Sequence, residues 1–388
     1  MQADLVVIGG GLIGLASAWS ARRAGLSVLL LERDACGRHA SSATAGGVRS
    51  LNRHPSEIPL ARAALPLWAG LSRQLGADVG FVASGQVRVA ENTRALAALE
   101  DRVRRIQAAG WTHERIVTGT ALFDRLPALL PGCVGGLVVD DDGFADPLKT
   151  LHAYRSACLA QGVRIRERVT VRSVTRAGAE GLIVQTDAGE VRARSAVNCA
   201  GAWALLDQGE GPLAGVRVPM HASALQMIVT TPMAPFVGPV VGSHGRRLSL
   251  KQTASGAVVI GGAFEGRLIR DAAGVVRRGL VEPSRVAANL ANAVRLFPQL
   301  GDARVLRSWA GVEGVVEDGL PVIGESPRLA GFFQAFGFSA HGFALAPVIG
   351  DIVRDWVIGR QSRLPLGPFS PGRFKVAREQ QEAADASA

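Results

Sequence analysis

Tyrosine occurs once in these 388 residues, at Tyr154, and aromatic residues make up only 5%. Proteins that hold single-stranded nucleic acid stack bases on aromatic rings beside basic tracts. Here the net charge of +10 is dispersed, with no long Lys/Arg block, so the basic balance does not indicate nucleic-acid binding. Cysteine is scarce as well. Cys36, Cys133, Cys158 and Cys199 lie far apart and form no C-x-x-C pair. That spacing argues against a disulfide framework, a zinc site or an iron–sulfur cluster within the chain, and reads as reduced, cytoplasmic thiols. No metal site is expected. The triplet Asp140-Asp141-Asp142 reads as a solvated loop, because adjacent acids alternate sides and have no ligand-spaced partner. No apolar run approaches the ~18 residues that a membrane-spanning helix needs. The N-terminus is a strand rather than a secretory signal. Internal repeats and low-complexity tracts are absent too.

Glycine is what the chain has in plenty, 47 residues, as expected where many short strands and close turns are needed. With 48% hydrophobic and 20% charged residues the composition is globular, and the length suits two domains. An arginine-rich, lysine-poor surplus implies attraction for anionic substrates or partners.

The first motif explains part of the glycine. The apolar run 5–8 reads as a buried parallel strand that breaks at Gly9, and Gly9, Gly11 and Gly14 occupy the places of G-x-G-x-x-G. Gly9 permits the tight turn, Gly11 lets a pyrophosphate reach the backbone, and Gly14 lets the next helix lie against the strand. That helix, over 12–24, aims its N-terminal amides at the phosphates and is stopped by Gly25. A second apolar strand over 26–31 ends at Glu32, placed for the ribose hydroxyls of an adenosine half.

Further along, spacing predicts helices over 59–75, 92–109, 148–161, 286–297 and 343–358. Strands are expected over 85–90, 225–230, 247–252, 258–262 and 332–336. Segments 163–174, 182–186 and 190–197 alternate like a small antiparallel layer, and 196–203 reads as a separate apolar strand. These elements indicate an α/β protein: a Rossmann-like nucleotide domain with an inserted, mostly antiparallel sheet domain. The nucleotide domain is expected to be discontinuous, over 1–80, 140–215 and 305–370. The second domain takes 81–139 and 216–304, and 371–388 forms a flexible tail.

Four separated signals occur in order: the unit from Gly9 to Glu32, the loop Ala45-Gly-Gly-Val-Arg49, Val197-Asn-Cys-Ala-Gly-Ala-Trp203, and Gly337-Phe-Ser-Ala-His-Gly-Phe343. Together with Asp318-Gly-Leu-Pro-Val-Ile-Gly324, they resemble the D-amino-acid oxidase family of FAD enzymes, which includes glycine and sarcosine oxidases. Gln226-Met-Ile-Val-Thr, Arg247-Leu-Ser-Leu-Lys-Gln-Thr253 and Trp309-Ala-Gly-Val-Glu-Gly314 resemble, more narrowly, the flavin subunits of heteromeric opine and hydroxy-D-proline dehydrogenases. The resemblance implies FAD rather than NAD, and iron–sulfur or flavin partner subunits. It also implies a set of cofactor-binding residues. These are Gly9, Gly11, Leu12, Ile13 and Gly14; Glu32 and Arg33; Ser41, Ser42, Thr44, Ala45, Gly46, Gly47 and Val48; Val169; Ala200, Gly201 and Trp203; Gly311; and Gly337, Phe338, Ser339, His341, Gly342 and Phe343. No counterpart of the flavin-tethering cysteine of monomeric sarcosine oxidases falls in 309–324, so the FAD is expected to be non-covalent. Glycine oxidases carry an arginine near the place of Glu313, so the acid here departs from that pattern.

The chemistry implied is dehydrogenation of the C–N bond of a D-amino acid, hydroxy-D-proline or an N-substituted amino acid such as an opine. Hydride passes from Cα to flavin N5, the imine hydrolyses, and electrons leave to a partner subunit or quinone. Four residues are candidates for the reacting end. His341 stands before the last helix, facing the flavin pyrimidine oxygen or satisfying a turn. Arg49 holds the substrate carboxylate or the flavin, or is a solvated surface residue. Glu313 pairs with a substrate ammonium or guanidinium, or makes a structural ion pair. Lys251 lies beside the ring or on a strand edge. Three alternatives stay open: a glycine- or sarcosine-type oxidase that uses O2 and releases peroxide, a non-catalytic FAD-binding scaffold subunit, and an NAD-linked dehydrogenase.

Overall fold

The computed structural model describes residues 1–178, 181–205 and 217–374. Strand β1 (Gln2–Ile8) runs into helix α1 (Leu12–Arg23) and then strand β2 (Val28–Glu32), as the apolar periodicities require. Both strands are buried and pair in parallel, Leu5 with Val28 through Ile8 with Leu31. They are the centre of a first sheet. Its strands run in the order Val322–Glu325, Phe332–Phe336, Gly189–Asn198, β1, β2 and Arg164–Glu167. Helix α1 packs between this sheet and the last long helix, Gly342–Val357. There a Cβ on Gly350 would stand 2.7 Å from the Ala16 carbonyl oxygen, so only glycine allows that approach.

The second sheet runs Val305–Val316, Met220–Thr230, Val258–Gly261, Ser249–Gln252, Val240–His244, Gln86–Ala90, Gly135–Val139 and Arg115–Thr118. All its pairings are antiparallel except that between Gln86–Ala90 and Val240–His244, which lie far apart in the chain. Its core is a separate apolar cluster that includes Val87, Val241, Leu250, Ile260 and Phe297.

Several expectations change. Segments 190–197 and 196–203 do not form two strands: Gly189–Asn198 is one strand, antiparallel to Leu182–Thr186 and parallel to β1. Arg164–Glu167 pairs in parallel with β2 and leaves the antiparallel layer. As an edge strand it needs only one apolar face, so it alternates like a hairpin strand. The boundary expected at 305 moves, because Val305–Val316 pairs with Met220–Thr230 along its whole length. Residues 371–374, expected in the flexible tail, are tied to the first sheet's domain. Arg373 reaches Asp318 at 2.8 Å and donates to the Leu320, Pro321 and Phe369 carbonyls, while 375–388 lies outside the described residues. None of the helices among the described residues is long and apolar enough to cross a membrane.

Candidate active site

One cavity of about 590 Å³ runs from the Gly9–Gly11 turn to the turn before the last helix, lined by residues of both sheets. Its first end is built as the motif predicts. Gly9 has φ +106°, and a Cβ there would stand 2.5 Å from the Cys199 carbonyl oxygen. A Cβ on Gly14 would overlap the Gly9 carbonyl oxygen, so helix α1 can start so close to β1 only with glycine there. Gly11 differs from both. It lines the cavity, and a Cβ on it would meet only the Ser41 hydroxyl, at 3.2 Å. That hydroxyl accepts from Leu12 N–H at 2.9 Å and ties the short helix Ala40–Ala43 to the start of α1. Glu32 lines the same end, its two oxygens accepting from Gly10 N–H (2.6 Å) and Asp34 N–H (2.7 Å). Trp203 donates to the Val276 carbonyl and lies under the Arg33 guanidinium at 4.5 Å and beside His39 at 4.4 Å. A glycine cradle at a helix start, an acid at the end of β2 and a long cavity beyond them fit an adenine dinucleotide.

At the far end the chain turns sharply. Gly337 (φ +69°), Ser339 (+47°) and Ala340 (+68°) all adopt left-handed backbone before helix Gly342–Val357. Two non-glycine residues in that region cost roughly 1–3 kcal/mol each. The turn is held by specific bonds: the Ser339 hydroxyl accepts from Val316 N–H, Glu313 accepts from Ala340 N–H at 2.7 Å, and His341 N–H donates to the Phe338 carbonyl. Glu313 lines the cavity, and burial pushes its carboxyl up to about 7 against the pull of the Ala340 amide.

His341 is turned elsewhere. Its Nδ1 lies 3.0 Å from Glu57 Oε1, and its ring is not part of the cavity lining. Burial and the Arg53 charge push the imidazole down to about 4, so it is neutral and Nδ1–H donates to Glu57. Burial works to raise Glu57, but the His341 hydrogen bond and the Arg53 and Arg49 charges outweigh it and keep the carboxylate ionised. His341 thus positions the turn from behind. Lys251 is likewise behind the wall: it is buried, its Nζ 3.4 Å from the Ala145 carbonyl and 4.0 Å over the Phe144 ring, and burial lowers it to about 8. The structure brings Arg49 and Glu313 into one cavity and leaves His341 and Lys251 outside it.

Of the expected cofactor residues, Gly9, Gly11, Leu12, Ile13, Glu32, Arg33, Ser41, Thr44, Ala45 and Gly47 line the cavity. So do Val169, Ala200, Gly201, Trp203, Gly311, Gly337, Phe338, Gly342 and Phe343. Gly14, Ser42, Gly46, Val48 and Ser339 do not: they shape the wall from within. At Gly46 (φ +72°) a Cβ would overlap the Ala145 carbonyl, and Val48 is buried in the first core.

Arg49 follows the short strand Gly47–Val48 and lines the cavity, and its Nη1 donates to the Leu51 carbonyl at 2.9 Å. Its seat is Asp142, which is not solvated. That buried carboxylate accepts from Ser50 N–H (2.7 Å), the Ser50 hydroxyl (2.9 Å) and Leu51 N–H (2.8 Å). Asp140 pairs instead with Arg115 and Arg125, and Asp141 with Arg62. Asp142→Asn turns an amide NH2 toward one of these backbone donors. It should cost about 1–3 kcal/mol, read as a lowered Tm in thermal unfolding; an unchanged Tm would show that the seat is not needed.

Sequence reasoning missed Arg53, Gln86, Arg88 and Arg247, which also line the cavity. Gln86 and Arg88 had a signal. They alternate with the buried Val87 and Val89, so two polar side chains share one face of an otherwise apolar strand. Arg53 and Arg247 meet the site through the fold alone.

Residues 4–356 match the family of FAD dependent oxidoreductases named DAO. The chain is 28% identical to a subunit of the opine oxidase of Rhizobium meliloti over 96% of its own length and 98% of that protein. It is 27% identical to the glycine oxidase of Geobacillus kaustophilus, covering 95% and 96% of the two chains. The crystal structure of glycine oxidase from Geobacillus kaustophilus superposes with a TM-score of 0.85 at 25% identity, over 96% of this chain and 99% of that one. That of L-proline dehydrogenase from P. horikoshii gives 0.84 at 23% identity, covering 97% and 98%, and so shares the fold.

Proposed function

Since the chain belongs to the DAO family of FAD-dependent oxidoreductases, we propose that this FAD enzyme dehydrogenates the C–N bond of a small N-substituted or D-amino acid. Electrons then pass to a partner subunit or a quinone. The observation that carries the reading is one cavity holding both a dinucleotide cradle and the pair Arg49 and Glu313. The flavin, when bound, supplies the acceptor for the hydride equivalent. Arg49 holds the substrate carboxylate through guanidinium N–H groups that the Leu51 carbonyl leaves free. Glu313 faces the amine and takes up or shares its proton, which a carboxyl near 7 can do at neutral pH. Both groups fix the orientation of the carbon that loses hydride. His341 and Glu57 brace the turn that carries Ala340, whose amide holds Glu313. Cys199 is the cysteine in the lining, and burial pushes its thiol up to about 12, which supports non-covalent flavin.

The similarity to an opine oxidase subunit supports a heteromeric acceptor, and the similarity to glycine oxidase supports direct use of O2 as the second reading. Turnover of D-amino acids, hydroxy-D-proline, sarcosine and opines with an artificial dye and with air separates the two. Faster turnover with the dye is expected. Rapid reoxidation in air with stoichiometric peroxide would favour the oxidase, and no turnover with either would favour a scaffold.

A pH dependence follows from Glu313. Its folded pKa lies near 7 against an ordinary value of 4.5, so the folded state prefers the neutral form and loses stability as pH rises from 4.5 through 7. Glu313→Gln cannot ionise, and its oxygen still accepts from Ala340. The variant should match wild type in Tm at pH 4 and exceed it at pH 8, and its substrate binding should lose the ionisation near pH 7. Equal Tm values at pH 8 would place Glu313 in a solvated setting instead.

A further inference from the structure

Resting on the reading just given, we propose that Glu114 and Arg102 are positioning residues of the substrate site, a buried pair beside the second sheet that fixes the turn carrying Arg49 and Arg53. Neither lines the cavity. Glu114 stands just before strand Arg115–Thr118 and Arg102 lies on helix Thr93–Ala108, whereas the turn follows Gly47–Val48. Residues 50–53 are each bound at the backbone by a charged side chain. Asp142 accepts from Ser50 N–H and Leu51 N–H, Glu114 accepts from Asn52 N–H at 2.6 Å, and Arg102 Nη2 donates to the Arg53 carbonyl at 2.9 Å. The pair locks itself through two further bonds of 2.7 Å, Arg102 Nε to Glu114 Oε2 and Nη2 to Oε1.

Within this clamp Asn52 takes left-handed backbone, φ +57°, and Arg53 Nε reaches back to the Arg49 carbonyl at 3.2 Å. Leu51 is buried in an apolar cluster with Leu99 and Val103 of helix Thr93–Ala108, so packing docks the turn on the same helix. Stability alone does not account for the pair. Withdrawing two charges from water costs about as much as their attraction returns, and Asn52 adds backbone strain. What the arrangement secures is the place of two guanidiniums that line the cavity. Burial pushes Arg49 and Arg88 down, and Glu114 is among the charges that pull both back up, so it also supports this arginine cluster electrostatically. The carboxylate station is thus set from the second sheet as well as from the chain around Gly47–Val48.

The test is titration of the FAD-loaded full chain with butyrate, an unreactive monocarboxylate, followed by the visible absorbance of the flavin. Every bond to the Glu114 carboxylate comes from a donor, so the amide NH2 of Glu114→Gln must face Arg102 or Asn52 N–H. This variant should raise the butyrate Kd at least ~10-fold, about 1.4 kcal/mol, with one FAD still bound per chain. Arg102→Lys keeps the charge pair that the fold buries but loses the planar fork, and a rise of ~3-fold is expected. Arg104→Ala, exposed on the same helix, should change nothing. Joined to Arg49→Ala, Glu114→Gln should add less than ~2-fold, because it acts through the turn that carries Arg49. A merely structural pair would lower the Tm and leave the Kd of the folded protein unchanged, and that result would overturn the proposal. Full additivity in the double variant would do the same. Where Glu114→Gln does not fold, Arg102→Lys decides alone, an unchanged Kd overturning the proposal. Wild type that binds no butyrate would count against the Arg49 station and the proposed function with it, whereas binding that survives both variants sinks this inference only.

Discussion

Gly11→Val is expected to give a folded, colourless protein. Most glycines of the turn cannot report on the cofactor, because a side chain at Gly9 or Gly14 strikes backbone and the fold itself fails. Gly11 faces the cavity, and its Cβ would crowd only the rotatable Ser41 hydroxyl at 3.2 Å. The isopropyl group would instead fill space where the backbone must approach the pyrophosphate. FAD affinity should fall by on the order of 100-fold or more, about 2.7 kcal/mol. Circular dichroism should remain like that of wild type, since the helix α1 interior is untouched. A yellow, fully loaded Gly11→Val protein would move the phosphates away from this turn.

Arg49→Ala should have the second largest effect, an increase in substrate KM of roughly 10- to 100-fold, as expected for one charge-assisted bond of about 1.5–3 kcal/mol. Arg49→Lys keeps the charge but loses the planar fork, so it should recover only part of the affinity. The two variants distinguish charge from geometry: full recovery by lysine would mean that Arg49 acts as a point charge. Purified FAD content, measured alongside, separates substrate loss from cofactor loss. If KM is unchanged in Arg49→Ala, the carboxylate station lies elsewhere in the cavity.

The nucleotide end of the site was legible because its requirements are local. Turn, helix start and strand end lie within 32 consecutive residues, and Gly9 and Gly14 each answer to a close backbone contact. Many residues that the resemblance implies for the cofactor line the cavity, among them Thr44, Ala45, Gly47, Gly337, Phe338, Gly342 and Phe343. What spacing cannot give is the direction of a side chain across a tertiary contact. His341 looked like a cavity residue, but Glu57, buried and 284 positions away, draws its ring behind the wall. A strand pairing between Gly47–Val48 and Gly143–Phe144 fixes the Phe144 ring that lies under Lys251. Asp142 read as loop because its partners, Ser50 and Leu51, come from another segment. The arginine cluster needed the parallel pairing of Gln86–Ala90 with Val240–His244, which carries a distant strand to the cavity wall.

The shared premise is that an amino-acid amine meets the flavin in the cavity holding Arg49 and Glu313. Anaerobic titration of the natively purified protein with each amine of the panel, from D-amino acids and hydroxy-D-proline to sarcosine and opines, tests it most directly. The account predicts that the visible band of oxidised flavin bleaches to completion with one equivalent of substrate per FAD, and that Arg49→Ala shifts the concentration required upward. A flavin that stays yellow under saturating amines of every class in the panel would contradict it.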